Sequence, residues 1–166
     1  MLLALSLGSN LEDSAALLQF ANNEISLQVG EIVASSSIYQ TEPISDVAQE
    51  DYLNAVVLVE SDLEPMEILD RIHSIEAQAG RTRDVRWGPR TLDIDIIDAD
   101  GFSCENAELT IPHPRARERA FVLVPLMEVA PDWMLGGVAS ISELIADLGG
   151  QRIMRIGNPD LKTGEA

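Results

Sequence analysis

Thr91-Leu92-Asp93-Ile94-Asp95-Ile96-Ile97-Asp98, residues 91–98, is the stretch on which the fold turns. A strand sends successive side chains to opposite faces, so Leu92, Ile94 and Ile96 point into a core while Asp93 and Asp95 share an open face. A sheet with one buried and one open face is typically antiparallel, with helices packed on one side. Two aspartates roughly 7 Å apart at Cα on one side of a strand repel each other unless a cation lies between them.

Directly upstream, Arg81-Thr82-Arg83-Asp84-Val85-Arg86-Trp87-Gly88-Pro89-Arg90 carries four of the chain's ten arginines. Guanidinium forks match phosphate oxygens bidentately, and paired carboxylates hold the hard cation that accompanies a nucleoside triphosphate. The segment is too charged to be buried, which predicts a mobile loop ordered by phosphate contact. Ahead of it, Pro65 suits the first turn of a helix, and Ile68, Leu69, Ile72, Ile75 and Ala79 recur at helical spacing until Gly80 stops it.

Further outward, residues 2–7 read as a buried strand, 13–25 as a helix with Leu17, Phe20 and Ala21 on one face, and 31–39 as a strand. Thr41 to Asp51 is a polar loop, and Tyr52 to Glu60 returns to a strand dense in Val and Leu. The order βαββαβ predicts an α+β fold: a ferredoxin-like antiparallel sheet with helices on one face and the other face free for a ligand, followed by extra C-terminal helices. Residues 109–114 form a Pro-bounded turn, and Ala120 to Ala130 a short apolar helix that Pro125 bends. Ser140-Ile141-Ser142-Glu143 is a capping box opening a last helix, with Ile141, Leu144, Ile145 and Leu148 on one stripe and Gly149-Gly150 as its end. The final dozen residues are expected to be weakly ordered.

At 166 residues and 46% hydrophobic, the chain supports one globular domain, 1–166. The formal charge of -17 excludes an extended nucleic-acid partner. Seven of the ten arginines fall within 81–90 and 115–119, so positive charge is concentrated where a small anionic ligand would sit in a cleft. Cys104 is the only cysteine, which suits a reducing cytoplasm, and no run approaches a membrane span. The expectation is a soluble, cytoplasmic monomer without nucleic acid or membrane as partner.

Tyr52 and Asn54 share the face opposite Leu53, Ala55 and Val57, so a ring and an amide flank the acid pair. An aromatic such as Tyr52 with Trp87 or Phe121 would sandwich a flat heterocycle, and Asn54 offers donor and acceptor to its edge. Pro112-His113-Pro114, followed by Arg115, Arg117 and Arg119, presents a rigid turn with further cations. On these residues alone, a metal-dependent phosphohydrolase acting with water and a non-catalytic ligand-sensing module remain open beside a phosphoryl-transfer enzyme.

Gly8-Ser9-Asn10-Leu11, Tyr39-Gln40-Thr41-Glu42-Pro43-Ile44, Asp51-Tyr52-Leu53-Asn54-Ala55, Arg86-Trp87-Gly88-Pro89-Arg90-Thr91-Leu92-Asp93-Ile94-Asp95-Ile96, and Pro112-His113 to Arg119-Ala120-Phe121 resemble, in order and spacing, the 6-hydroxymethyl-7,8-dihydropterin pyrophosphokinase family. The resemblance covers about residues 1–130; the last helix and tail, 138–166, carry no motif of it. It implies an enzyme of folate biosynthesis that uses ATP and Mg²⁺ to place pyrophosphate on the hydroxymethyl group of the pterin, releasing AMP. It further implies that Asp93 and Asp95 ligate two Mg²⁺ ions brought in with ATP. Thr41, Pro43, Ile44, Tyr52, Asn54, Trp87, Asp93 and Phe121 would line the pterin site. Glu76, Arg83, Arg90, Ile96, Thr110, His113 and Arg119 would hold ATP. Arg81, Arg90 and Asp95 would serve the chemical step, Arg81 entering as the loops around 43–50 and 81–88 close. Five residues depart from the family pattern: His73 replaces a common glutamine, Asp84 and Val85 stand where a lysine is frequent, Pro114 replaces an aromatic, and Asp98 replaces an aliphatic. They bear on ATP affinity and loop closure more than on the reaction.

Overall fold

The structure is a computed structural model that describes residues 1–11, 13–43, 49–80 and 92–157. A six-stranded sheet forms its centre. β1 (Leu2–Ser9) lies between β4 (Tyr52–Glu60) and β5 (Asp93–Ala99); with β3 (Ile38–Thr41) and β10 (Ile153–Gly157) the main order is β10-β3-β4-β1-β5, and β2 (Glu31–Ser35) is also on β4. All these pairings are antiparallel. The central position of β1 explains its nearly unbroken apolar run, since Leu3, Ala4, Leu5 and Leu7 are fully buried.

The segment 31–39 is two strands instead of one. Ser36 and Ser37 interrupt it, the Ser36 hydroxyl donating to the Ser37 carbonyl at 2.7 Å and accepting from the Val56 amide at 2.9 Å. Such local side-chain bonds compete with the ladder. β3 (Ile38–Thr41) then extends to Thr41, which belongs to the sheet and not to the following loop.

α1 (Ser14–Gln28) and α2 (Pro65–Gln78) cover one face. The core-facing stripe of α1 is Leu18, Ala21 and Ile25, a register one residue off the expected Leu17 and Phe20, which are half-buried. α2 begins as expected, with Pro65 in its first turn and a capping box between Glu64 and Glu67. It buries Ile68, Ile72 and Ile75 and stops at Gly80, whose φ of 76° is in the left-handed region glycine favours.

The other face is only half free. α3 (Ala120–Val129) lays Val122, Leu123 and Leu126 against Ala4, Val56, Leu58 and Ile97, forming a second apolar cluster joined by Ile141 of α4 (Ile141–Ala146). Even residues of β1 and β4 thus serve two purposes. Ala4, Val56 and Leu58 pack under α3, while Ser6, Gly8 and Asn54 continue the same face beyond it.

The register of β1 against β5 slips between Ala4 and Leu5, so Ile97 and Asp98 together oppose Ala4. This bulge turns Asp98 toward the second face. There its buried carboxylate accepts from the Trp133 indole at 2.9 Å and the Gly136 amide at 2.8 Å, anchoring a hairpin of β8 (Met134–Leu135) and β9 (Ala139–Ser140). Asp98 therefore departs from an aliphatic for a reason in the C-terminal packing, not in nucleotide binding.

Three further expectations change. The turn at 109–114 contains β7 (Thr110–Ile111), paired with β6 (Cys104–Glu105). Ser140 caps α4 by accepting the Glu143 amide at 3.2 Å, but the helix ends at Ala146 and not at Gly149. Part of the tail is ordered as β10 (Ile153–Gly157) against β3.

Candidate active site

Gly8 pairs with Asn54 on one side and with Asp93 on the other, so the amide and the first acid face the same way two strands apart. At the usual interstrand spacing that is about 10 Å, with no β1 side chain between them. A Cβ at residue 8 would lie 2.8 Å from the Asn54 Oδ1 and 3.7 Å from the Tyr52 ring. Glycine thus keeps a floor clear where the backbone must be approached closely.

On the β4 side, Asn54 is buried and its Nδ2 donates to the Thr41 hydroxyl at 2.6 Å. Thr41 in turn pairs with Tyr52 across β3 and β4. The bond fixes the amide's orientation and leaves Tyr52, half-exposed, at the rim. Pro43, also half-buried, follows β3 just beyond Glu42. Asn10, immediately after β1, donates to the Gln49 side chain at 2.7 Å and to the Glu50 carbonyl at 3.2 Å, which ties the approach to β4 to the same floor.

On the β5 side, Asp93 and Asp95 lie half-buried while Ile94 and Ile96 enter the core, as the period of two requires. The Arg119 guanidinium stands 3.8 Å from Asp95 and 5.4 Å over the Phe121 ring. Its side chain is 14% exposed, and its Nε is buried without a partner among the described residues. Burial lowers the Arg119 pKa, with the Asp95 carboxylate pulling the other way. The cation is largely desolvated and only loosely paired, a state in which an added phosphate oxygen is strongly favoured.

His113 stands beside β5, its amide donating to the Ile97 carbonyl at 2.7 Å. Its Nδ1 accepts from the Arg115 amide at 3.2 Å, which assigns the ring proton of the neutral form to Nε2. Burial first, then Arg119, push its pKa from 6.5 down to about 4, against the pull of Asp93, so the ring is a neutral donor at pH 7. Thr110 precedes it on β7, half-buried.

Glu76 and Ile96 occupy the opposite face. Ile96 is part of the core under α1 and α2, and Glu76, buried on α2, accepts the Ile94 amide at 3.1 Å. That bond braces the strand that carries both acids. Ile44, Arg81, Arg83, Trp87 and Arg90 lie outside the described residues.

Two carboxylates on one strand suit a hard cation in their donor chemistry. Among the described residues no cluster of three or more acidic, histidine or cysteine side chains could hold a metal by itself. The pair therefore fits Mg²⁺, which is commonly held by one or two carboxylates plus water and substrate phosphates. In the sequence Gly8 follows the strand 2–7 and opens the motif Gly8-Ser9-Asn10-Leu11, and its role as a spacer follows from the register, which extends β1 to Ser9.

Residues 4–131 match the family described as 7,8-dihydro-6-hydroxymethylpterin-pyrophosphokinase. A 2-amino-4-hydroxy-6-hydroxymethyldihydropteridine pyrophosphokinase of Methylorubrum extorquens is 43% identical over 153 residues, 92% of this chain and 96% of that one. The protein of the same description from Haemophilus influenzae is 39% identical over 156 residues, covering 93% and 97%. A Plasmodium falciparum HPPK-DHPS crystal structure superposes with a TM-score of 0.72 at 16% identity, over 87% of this chain. That likeness concerns the fold, and this chain spans only 42% of the Plasmodium protein.

Proposed function

The chain belongs to the 7,8-dihydro-6-hydroxymethylpterin-pyrophosphokinase family, whose reaction serves folate biosynthesis, and from that premise we propose how its own residues carry the transfer. The β,γ-pyrophosphoryl unit of ATP moves to the hydroxymethyl group of 6-hydroxymethyl-7,8-dihydropterin. The hydroxyl oxygen bonds to the β-phosphorus, the bond to the α,β-bridging oxygen breaks, AMP leaves with that oxygen, and the hydroxyl proton is lost.

The observation that carries this reading is the Gly8 gap. It separates a rigid amide suited to the edge of a flat ring from an acid pair suited to cation-bound phosphates, with no β1 side chain between them. We assign Asn54, Thr41, Pro43, Ile44, Tyr52, Trp87, Asp93 and Phe121 to the pterin. ATP falls to Glu76, Arg83, Arg90, Ile96, Thr110, His113 and Arg119. Ile96, being in the core, would contribute backbone and not side chain, and Glu76, buried on the opposite face against the Ile94 amide, would serve ATP by bracing β5. Asp93 and Asp95 would hold two Mg²⁺ ions, which when bound neutralise phosphate charge and help align donor and acceptor. Arg119 adds a fixed cation and His113 an uncharged donor, while Arg81, Arg90 and Asp95 act on the chemical step. Transfers of this kind depend mainly on alignment and charge stabilisation, so no dedicated covalent nucleophile is required.

The strand order β3-β4-β1-β5 with α1 and α2 on one face supports the ferredoxin-like arrangement. No described helix is long and apolar enough to cross a membrane, and we read the protein as a cytoplasmic monomer. Incubation with ATP, Mg²⁺ and 6-hydroxymethyl-7,8-dihydropterin should yield AMP and the pterin diphosphate, with no AMP when the pterin or Mg²⁺ is withheld. Phosphate release from ATP and water alone would favour a phosphohydrolase.

A further inference from the structure

We propose that Gln151 and Arg152, which lie beyond residues 4–131, are positioning residues that hold the two halves of the active site in register. The proposal rests on the assignment of the pterin to the β3–β4 side and ATP to the Arg119 side.

Arg152 immediately precedes β10, and its guanidinium forks onto Asp51, with Nη1 to Oδ2 at 2.8 Å and Nη2 to Oδ1 at 2.9 Å. Gln40 donates to the same carboxylate at 3.0 Å, and the Arg152 backbone amide donates to Glu42 Oε1 at 3.1 Å. These partners bracket the site residues: Asp51 precedes Tyr52, while Gln40 and Glu42 flank Thr41. Ile153 pairs with Thr41 from the outer side, and Tyr52 pairs with it from the inner side. The strand end that orients Asn54 is thus held from both edges. A bidentate fork fixes direction as well as distance, which a single ion-pair contact cannot do.

The neighbouring side chain reaches the other half. Gln151 Oε1 accepts the Ala120 amide at 2.9 Å, and its Nε2 donates to the Glu118 carbonyl at 2.7 Å. Arg119 lies between those two residues, so one amide grips the backbone on both sides of the cation that faces Asp95. Two consecutive residues therefore set the position of Thr41 and Tyr52 on one side and of Arg119 on the other. Sub-ångström displacement of groups that align substrates is enough to alter kinetics.

The full-length variants Arg152→Ala and Gln151→Ala test this through AMP formation, with each substrate varied in turn and melting midpoints recorded. Arg152→Ala should raise the pterin KM about tenfold with the ATP KM within about twofold, and Gln151→Ala should do the reverse. Arg152→Lys, which keeps the charge and loses the fork, should restore only part of the pterin KM. Exposed contacts of this kind should move the midpoint by no more than about 3 °C. A general packing role would shift both KM values together in both variants, and that result, or two unchanged KM values, overturns the proposal. Should an alanine variant fail to fold, Asp51→Asn, which keeps the shape and weakens the fork, must still raise the pterin KM selectively or the idea fails. If the wild-type protein itself forms no AMP with pterin present, the functional assignment fails first and this inference with it.

Discussion

Asn54 and Asp95 stand on the same sheet face, one 3% exposed and locked to Thr41 at 2.6 Å, the other 32% exposed in its side chain and 3.8 Å from the Arg119 guanidinium. The β4 half is assembled from neutral groups that satisfy each other before any ligand arrives. The β5 half is assembled from charged groups, and the buried Arg119 Nε has no partner among the described residues. A flat ring offers a fixed pattern of donors and acceptors, so a pre-set amide recognises it with little reorganisation. A polyphosphate offers charge and brings its own counterions, so a half built from charged groups suits it.

The sharpest way to break this contrast is to remove an acid. Asp93→Ala or Asp95→Ala should lower turnover by about a thousandfold or more at saturating Mg²⁺, measured as AMP formation. Near-normal rates in either variant would mean that the acids are not the cation site. Arg81→Ala, in the arginine-rich stretch, should slow the chemical step by ~100-fold in single-turnover kinetics with ATP affinity within a few-fold of wild type, whereas Arg90→Ala should impair both. An Arg81 variant that keeps its chemical rate and loses ATP affinity would exchange the two roles.

The β4 half should answer more mildly and in binding alone. Asn54→Ala should weaken pterin binding by roughly 1–3 kcal/mol, since the edge bonds are lost and the Thr41 hydroxyl loses its donor, while ATP binding by calorimetry stays the same. Gly8→Ala pushes a methyl group into the Asn54 carbonyl oxygen, so it should cost about 1–3 kcal/mol of stability in urea and weaken pterin in parallel. Equal losses for ATP in both variants would show that the two halves are not separable.

The smallest effect is a pH dependence. His113 has a folded pKa of about 4 against an ordinary 6.5, so the unfolded chain binds the proton more readily. The stability this ring contributes is present above pH 6.5 and is lost as pH falls through about 4. In the metal-free protein, His113→Gln should therefore show a flatter fall in melting midpoint over that window. Parallel curves for the two proteins would mean that the ring's burial leaves its titration unaltered.

Much of this is legible in the sequence. Alternation at Leu92 to Ile96 placed the acids, alternation at Tyr52 to Val57 placed the amide, and Pro65 with Gly80 bounded α2. What escaped depended on partners distant in sequence. Asp98 looks like another acid on the cation strand until the bulge turns it onto Trp133 and Gly136. The break at Ser36-Ser37 is invisible to periodicity because both serines are buried by contacts with β4 and with Glu128 of α3. The short strands β6 to β9 hold only two residues each, too few for a period of two to register. Ile153–Gly157 is mostly exposed at a sheet edge, so it carries little of the hydrophobic signal by which strands are read.

α3 carries Phe121 beside the Arg119 cation and, one and two residues later, Val122 and Leu123 beneath the sheet. A nucleotide seated on Arg119 therefore favours the members of the native ensemble in which that helix is fully docked. Amide exchange along Ala120–Val129 should slow when nucleotide binds, reaching as far as Leu126 near the distant end of the helix. The second apolar cluster would in this sense report occupancy, its local opening rate then depending on the substrate as well as on the protein.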